Sequence, residues 1–111
     1  MENRSTPELL PGTLYMLILR TLSAGPLHGY AIAKRVKEPS RDGLTIEDGS
    51  LYPALNRMLV KGWLKADWGL SENNRKARFY RLTAEGRKTL EKEAEDFDRM
   101  VRAIQLVLRT A

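Results

Sequence analysis

The sequence predicts a mainly α-helical domain that carries one small β-hairpin and ends in a long helix. Apolar residues recur at helical spacing in the first half of the chain, alternate strictly within residues 64–82, and return to helical spacing afterwards. The chain has 111 residues, of which 42% are hydrophobic, so it can bury one core. Together these observations indicate a single compact unit with helices on both sides of a hairpin.

The first 37 residues predict an arm and two helices. Residues 1–10 are mostly polar and contain one proline, so we expect a flexible arm. The first helix is expected from about Pro11 to Ser23, since proline is tolerated in a first helical turn. The breaker Ala24-Gly25-Pro26 follows, and a second helix is expected over 29–37.

The third helix is expected to begin near Asp48 or Ser50, which are both good N-cap residues. It should end at Lys61-Gly62, where glycine supplies the left-handed cap. One face carries a regularly spaced apolar stripe, formed by Leu51, Leu55, Met58 and Leu59. The preceding residues 44–46 are compatible with a very short strand.

The period then changes to two, which is typical of strands. Leu64, Ala66 and Trp68 alternate with polar residues, and a second alternating run ends at Leu82. The intervening 69–76 is rich in turn residues, so the two runs predict a β-hairpin. Its tip is expected at Asn73-Asn74, because asparagine tolerates positive φ. Trp63 and Trp68 are expected to pack the hairpin onto the third helix, although Trp68 could be partly exposed because it lies nearer the base of the hairpin.

A last helix is expected from Thr83, a capping residue, to about Leu108. Its apolar residues are spaced alternately four and three apart, which is a heptad seam. About 25 residues make a helix of roughly 37 Å, longer than so small a domain can cover. We therefore expect a second copy to bury the seam, although a helix packed along its own domain is the alternative. The expected interface residues are Tyr15, Leu19, Leu90, Ala94, Phe97, Val101, Ile104 and Leu108.

The formal net charge of +5 is confined to one stretch. Residues 1–50 and 84–111 are each neutral, whereas 51–83 carry seven basic and only two acidic side chains. A concentrated basic stretch is typical of a protein that binds a polyanion. Charge alone is equally compatible with an ordinary solvated surface.

The composition argues against several other classes. The chain has no cysteine, which excludes disulfides and thiolate metal sites. His28 is its only histidine, so it has no partner for a metal site or a catalytic triad, and we expect it to act in the turn that opens the second helix. No glycine-rich phosphate loop is present, so we expect neither an enzyme nor a cofactor. The longest apolar run, Leu14 to Leu19, is too short to span a bilayer, and we expect a cytoplasmic protein without a membrane partner.

Three helices followed by a basic hairpin make a winged helix-turn-helix, in which the third helix enters the major groove. Three residues of that helix lie on faces other than its apolar stripe and are candidates for contacts with DNA: Tyr52, Asn56 and Arg57. Tyr52 could instead be a packing residue, and the other two could simply be solvated. Arg81 faces the other side of its strand. Lys34 and Lys61 are candidates for phosphate contacts but could equally be ordinary surface lysines. The candidate DNA-binding residues are Lys34, Ser50, Tyr52, Asn56, Arg57, Lys61, Asn74, Arg75, Lys76 and Arg78.

Three motifs also occur in order along residues 10–95: GPLHGY opens the second helix, GSLYPALNRM forms the third, and FYRLTAEG joins the hairpin to the last helix. In combination they resemble the PadR family of bacterial transcriptional regulators, in particular its short subgroup with a single C-terminal dimerisation helix. The resemblance implies a two-fold homodimer on a palindromic operator, usually as a repressor. It also implies, for some members, release from DNA when a small aromatic effector binds at the dimer interface. Tyr52 matches the tyrosine of the family's LYP motif.

The resulting hypothesis is a sequence-specific DNA-binding transcriptional regulator that binds double-stranded DNA as a homodimer. Residues 11–83 would form the winged-helix domain, and residues 84–111 the dimerisation helix. A winged-helix module that binds only proteins and a nonspecific nucleic-acid binder are the alternatives. The basic hairpin argues against the first of these, because a protein-binding module does not require it.

Overall fold

The computed structural model describes residue 9 and residues 11–110 of the chain. The predicted order of elements is confirmed, with one additional short strand. The arm expected at 1–10 lies outside the described residues, apart from Leu9, which packs against the core. The elements are α1 (Pro11–Leu22), β1 (Leu27–His28), α2 (Gly29–Lys37), α3 (Asp48–Val60), β2 (Leu64–Leu70), β3 (Lys76–Leu82) and α4 (Ala84–Thr110).

The sheet has three antiparallel strands in the order β1-β3-β2. The hairpin register runs from Leu64 opposite Leu82 to Leu70 opposite Lys76. β1 adds only two pairs on the other edge of β3, and Leu27 lies opposite Tyr80. Two residues are too few to show the alternation of apolar and polar side chains that identifies a strand, which explains why the sequence predicts the hairpin but not β1.

The short strand considered at 44–46 is wrong, because these residues form no regular element. The Ser40 hydroxyl accepts the Leu44 N–H at 3.1 Å and so satisfies the backbone locally. Ile46 is buried with only 6% of its surface exposed. The segment between α2 and α3 is therefore a loop whose Ile46 and Leu44 side chains pack on the core.

The core lies where α1, α2 and α3 cover one face of the sheet. The apolar stripe of α3 is confirmed, since Leu51, Leu55 and Met58 are completely buried, although Leu59 is only partly buried. Leu19 is also completely buried in the core of its own chain, so it does not offer a surface to a second copy. The reason is that α1 contacts α2, α3, α4 and β3, which surround most of its circumference.

Two of the predicted helix ends are confirmed. The Thr83 hydroxyl accepts the Gly86 N–H at 3.0 Å and donates to the Gly62 carbonyl at 2.6 Å. Gly62 has a φ of 79°, the left-handed conformation expected after α3. At the other end of α3 the N-cap is Glu47, without a side-chain capping bond, so Ser50 lies inside the first turn and does not cap the helix.

Helix α4 has 27 residues, and only its first turns pack against the domain. Gly86 is its one buried residue, and Leu90 packs against the core from partial exposure. A Cβ atom at position 86 would fall on the carbonyl oxygen of Trp63, so this close approach requires glycine. Within the described part of the chain, no helix combines the length and apolarity needed to cross a membrane.

Candidate nucleic-acid interface

One side of α3 faces away from the core and is available to a partner. At about 100° per residue, Asn56 and Val60 lie near the middle of this exposed face, with Tyr52 at one edge and Arg57 at the other. Val60 is 88% exposed. The face therefore presents a central asparagine, with a tyrosine and an arginine on opposite flanks.

Tyr52 packs its ring against the start of α2. A Cβ atom on Gly29 would lie 2.7–2.9 Å from atoms of that ring, so only glycine permits the contact. Burial, followed by the neighbouring Asp48 carboxylate and Tyr80, raises the pKa of the Tyr52 hydroxyl above its ordinary value. The phenol is therefore neutral at physiological pH, and its hydroxyl can donate a hydrogen bond to an anionic oxygen.

Arg57 is held at the α1 edge of α3. Its Nε donates a hydrogen bond to the Tyr15 hydroxyl at 2.6 Å, and the guanidinium carbon lies 5.6 Å from the centre of the Tyr15 ring. The Tyr15 ring in turn meets Trp63 edge-on at 5.7 Å. Arg57 thus connects α3 to α1, about 100° around the helix from Asn56.

The inner face of the hairpin extends beyond the core. Leu64 and Ala66 lie over the core, and the same face continues along β2 to Trp68 and Leu70. Trp68 is 66% exposed, so the expectation that it packs the hairpin onto α3 is wrong. Its neighbour Lys76 places Nζ 4.9 Å from the centre of the Trp68 ring.

A groove of about 490 Å³ separates this part of the hairpin from α2 and α3. It brings together five of the predicted DNA-binding residues, whereas Glu72 is the one acidic residue in its lining. Four cations in so small a space create a positive potential that attracts an anion. The five predicted residues are Lys34, Tyr52, Arg75, Lys76 and Arg78.

The groove also contains two exposed aromatic residues that were not predicted as binding residues. Tyr30, in the first turn of α2, is 72% exposed, and Trp68 is 66% exposed. Strict alternation along β2 places Trp68 on the inner face, which was the one signal available for it. No comparable pattern in the sequence singles out Tyr30.

Other predicted residues lie outside the groove. Ser50 and Arg57 line a separate depression of about 480 Å³ on the α1 side of α3. Lys61 lies at the end of α3, with Nζ 5.2 Å from the centre of the Trp63 ring. Asn74 is in the turn of the hairpin with a φ of 59°, as its sequence predicts. Arg81 pairs with Asp67 at 3.3 Å on the outer face of the sheet.

His28 has the local role that was expected of it. Its Nδ1 accepts the Ala31 N–H at 3.3 Å and caps α2, while its ring meets Phe79 edge-on at 5.4 Å. The residues that the structure describes contain no group of His, Asp and Glu side chains able to hold a metal ion.

The sequence matches the model of the transcriptional regulator PadR-like family over residues 18–92. The chain belongs to this family. The family is one of transcriptional regulators, and such regulators are generally not enzymes.

Several solved structures share the fold of this chain over most of its length. A PadR family transcription regulator from Clostridium difficile is 29% identical with a TM-score of 0.75, and the match covers 86% of this chain and 97% of that one. One from Eggerthella lenta is 30% identical with a TM-score of 0.75, covering 90% of this chain and 85% of that one. A Streptococcus mutans structure with a TM-score of 0.82 is only 22% identical; the match covers 95% of this chain and 94% of that one, and it supports the fold alone.

A curated relative, a 37.1 kDa protein in a transposon of Streptomyces fradiae, is 41% identical over 85 residues. The match covers 77% of this chain but only 23% of that protein. The chain therefore spans less than a quarter of that relative's length.

In this PadR-like chain α4 is amphipathic, with an apolar face and a charged face. Phe97, Ile104 and Leu108 of the predicted seam are 39%, 49% and 71% exposed. Met100 and Val107 are also exposed, at 53% and 65%, and they widen the stripe on one side. Among the other expected interface residues, Tyr15, Leu90 and Val101 are half-buried, and Ala94 is exposed.

The charged face of α4 is internally paired. Lys92 bonds Asp96 and Arg102 bonds Asp98, each at 2.9 Å, and Arg99 also contacts Asp96. The bond to Asp96 raises the pKa of Lys92, and the same bond lowers the pKa of Asp96. These ion pairs form within one chain, whereas the apolar residues of the stripe are exposed to solvent.

Proposed function

We propose that this PadR-like regulator represses transcription by binding a palindromic operator as a homodimer, with α3 in the major groove and the hairpin on the adjacent backbone. The observation that carries the proposal is the groove in which Lys34 of α2 faces Arg75, Lys76 and Arg78 of the hairpin. These cations lie on the side of the molecule toward which the Tyr52 side chain projects from α3. Phosphates of one strand can therefore be neutralised while the exposed face of α3 meets base edges.

Base reading is assigned to Asn56. An asparagine can form two hydrogen bonds with adenine in the major groove, and apolar side chains suit the thymine methyl group. Pro53 and Val60, on either side of Asn56 on this face, are apolar and exposed. Because Arg57 is engaged by Tyr15, we do not assign it to a guanine. The half-site should therefore contain an A·T pair that depends on Asn56.

Dimerisation is assigned to the apolar stripe of α4. Phe97, Met100, Ile104, Val107 and Leu108 are all substantially exposed along it, and a second copy would bury them. A helix of 27 residues is about 40 Å long, close to the half-site separation of one turn of DNA, which is roughly 34–36 Å. A two-fold dimer of this kind would bind a palindrome, and a dimer seated on a promoter would exclude RNA polymerase.

An effector, if it acts as in the family members that release DNA, would bind at this interface. Phe97 is the aromatic residue on the exposed stripe, and aromatic stacking can hold a flat ligand. We propose a small aromatic molecule in contact with Phe97.

A matched pair of arginines on β3 tests the DNA-binding proposal. Arg78 lines the groove, whereas Arg81 pairs with Asp67 on the opposite face of the sheet. The affinity of the wild type for the promoter of its own gene, and for a scrambled duplex, should be measured by fluorescence anisotropy at about 50 and 200 mM salt. We expect preference for the promoter, with a weaker and less salt-dependent affinity in Arg78→Ala and little change in Arg81→Ala.

Other outcomes would support the alternatives. Equal affinity of the wild type for both duplexes would favour a nonspecific nucleic-acid binder. The absence of binding to either duplex would favour a protein-interaction module. Equal losses in the two arginine variants would remove the groove from the proposal.

A further inference from the structure

The end of the hairpin exposes an apolar surface that the core does not explain. On the inner face of β2, Ala66 still packs against the core, but Trp68 and Leu70 are 66% and 65% exposed. An exposed tryptophan carries a large apolar surface into water, and burying it against a partner is favourable. The question is which partner fits this position.

The surroundings of Trp68 specify the charge of that partner. Its cross-strand neighbour is Arg78, and Lys76 lies over its ring with Nζ 4.9 Å from the centroid. Across the groove are Lys34 and the exposed ring of Tyr30. An occupant must therefore offer negative charge to both walls and an apolar surface to the ring.

We propose that Trp68 is itself a DNA-contacting residue, with its ring packed on a deoxyribose or base edge of the strand that lies in the groove. Lys76 and Arg78 then neutralise the phosphates on either side of that sugar. A nucleic-acid strand alternates anionic phosphates with apolar sugars and bases, which matches cations interleaved with an aromatic ring. This inference rests on the proposed function and assigns it a contact that does not depend on charge.

A second role for Trp68 would be to hold Lys76 in position through the cation–π contact. The two roles differ in their dependence on salt. Loss of a contact between a ring and DNA lowers the affinity by a similar factor at every salt concentration. Loss of a phosphate contact reduces the slope of log affinity against log salt by about one.

The test compares Trp68→Ala, Trp68→Phe and Lys76→Ala on promoter DNA over a range of salt concentrations. Lys65→Ala serves as a control, because Lys65 is exposed on the outer face of β2. We expect Trp68→Ala to lose about tenfold in affinity with an unchanged slope. Trp68→Phe should recover much of that loss, and Lys76→Ala should reduce the slope. Circular dichroism should show the same fold in all four variants.

Fluorescence gives an independent readout. The chain has two tryptophans, so Trp63→Phe leaves Trp68 as the sole tryptophan, which can be excited selectively over the tyrosines. We expect promoter DNA to change the emission of Trp68 and to protect Trp68 from quenching by acrylamide. Polyglutamate, used as a model of an acidic peptide, should do neither.

Four results would overturn the inference. If Trp68→Ala reduces the salt slope as Lys76→Ala does, and DNA leaves the Trp68 emission of the Trp63→Phe variant unchanged, Trp68 is a positioning residue. A response to polyglutamate but not to DNA would identify an acidic peptide as the occupant. Normal promoter binding without any effect of Trp68→Ala overturns this inference alone, whereas no binding by the wild type overturns the proposed function as well.

Discussion

Replacing Gly86 with alanine should destabilise the protein, although the same change stabilises most helices. In an exposed helix the substitution gains up to about 1 kcal/mol, because alanine has the higher helix propensity. At position 86 the added Cβ would fall on the carbonyl oxygen of Trp63 and lie 3.1 Å from Cδ2 of Leu82. The carbonyl belongs to the backbone that receives the Thr83 N–H at 3.1 Å, so it cannot move freely.

Inserting one carbon into a packed site costs about 1–3 kcal/mol, which exceeds the propensity gain over most of that range. We therefore expect Gly86→Ala to lose about 1–2 kcal/mol of unfolding free energy. Each kcal/mol corresponds to about 4–8 °C in Tm for a domain of this size class. Thermal unfolding followed by circular dichroism measures the shift, at one protein concentration because a dimer's Tm depends on concentration.

Gly12→Ala is the matched control, because Gly12 also lies in a helix and has no atom within 4 Å of its added Cβ. Its Tm should stay the same or rise slightly. If Gly86→Ala also raised the Tm, α4 would not be packed on the Trp63 backbone as described, and the reasoning would be refuted.

The remaining predictions concern the interface and the dimer. Gly29→Ala should displace the Tyr52 ring, so promoter affinity should fall as in Tyr52→Ala, and an additive loss in the double variant would contradict this coupling. Asn56→Ala should lose about 1–3 kcal/mol of discrimination at one A·T pair of the half-site in a panel of base substitutions, and a uniform loss over all positions would make Asn56 a phosphate contact. Ile104→Glu should yield a monomer by light scattering, while Leu106→Glu, on the opposite side of α4, should remain a dimer; the same oligomeric state for both would show that the apolar stripe is not the interface.

Features that depend on neighbouring residues in the chain were predictable from the sequence. The helix periods, the hairpin alternation, the Thr83 cap and the positive φ of Asn74 are all local, and the structure contains each of them. The concentration of basic residues in 51–83 likewise predicted the hairpin cations that line the groove. The sequence was sufficient here because each of these features depends on backbone conformation, hydrogen bonds or side-chain alternation among residues close together in the chain.

Features that depend on distant packing were not predictable. Leu19 is expected at the dimer interface from the sequence, but four other elements pack around α1 and bury it. The alternation of β2 gives the face of Trp68 but not the point at which the core ends. The bond between Arg57 and Tyr15 joins residues 42 positions apart, and no local pattern encodes it.

The central claim is that two copies of this PadR-like chain place α3 and the hairpin on two half-sites of one operator. Hydroxyl-radical footprinting of the promoter with purified protein tests it most directly. We predict two protected segments, related by two-fold symmetry and centred about 10 bp or a multiple of it apart on one face of the duplex. A single protected segment, or uniform protection along the DNA, would contradict the claim.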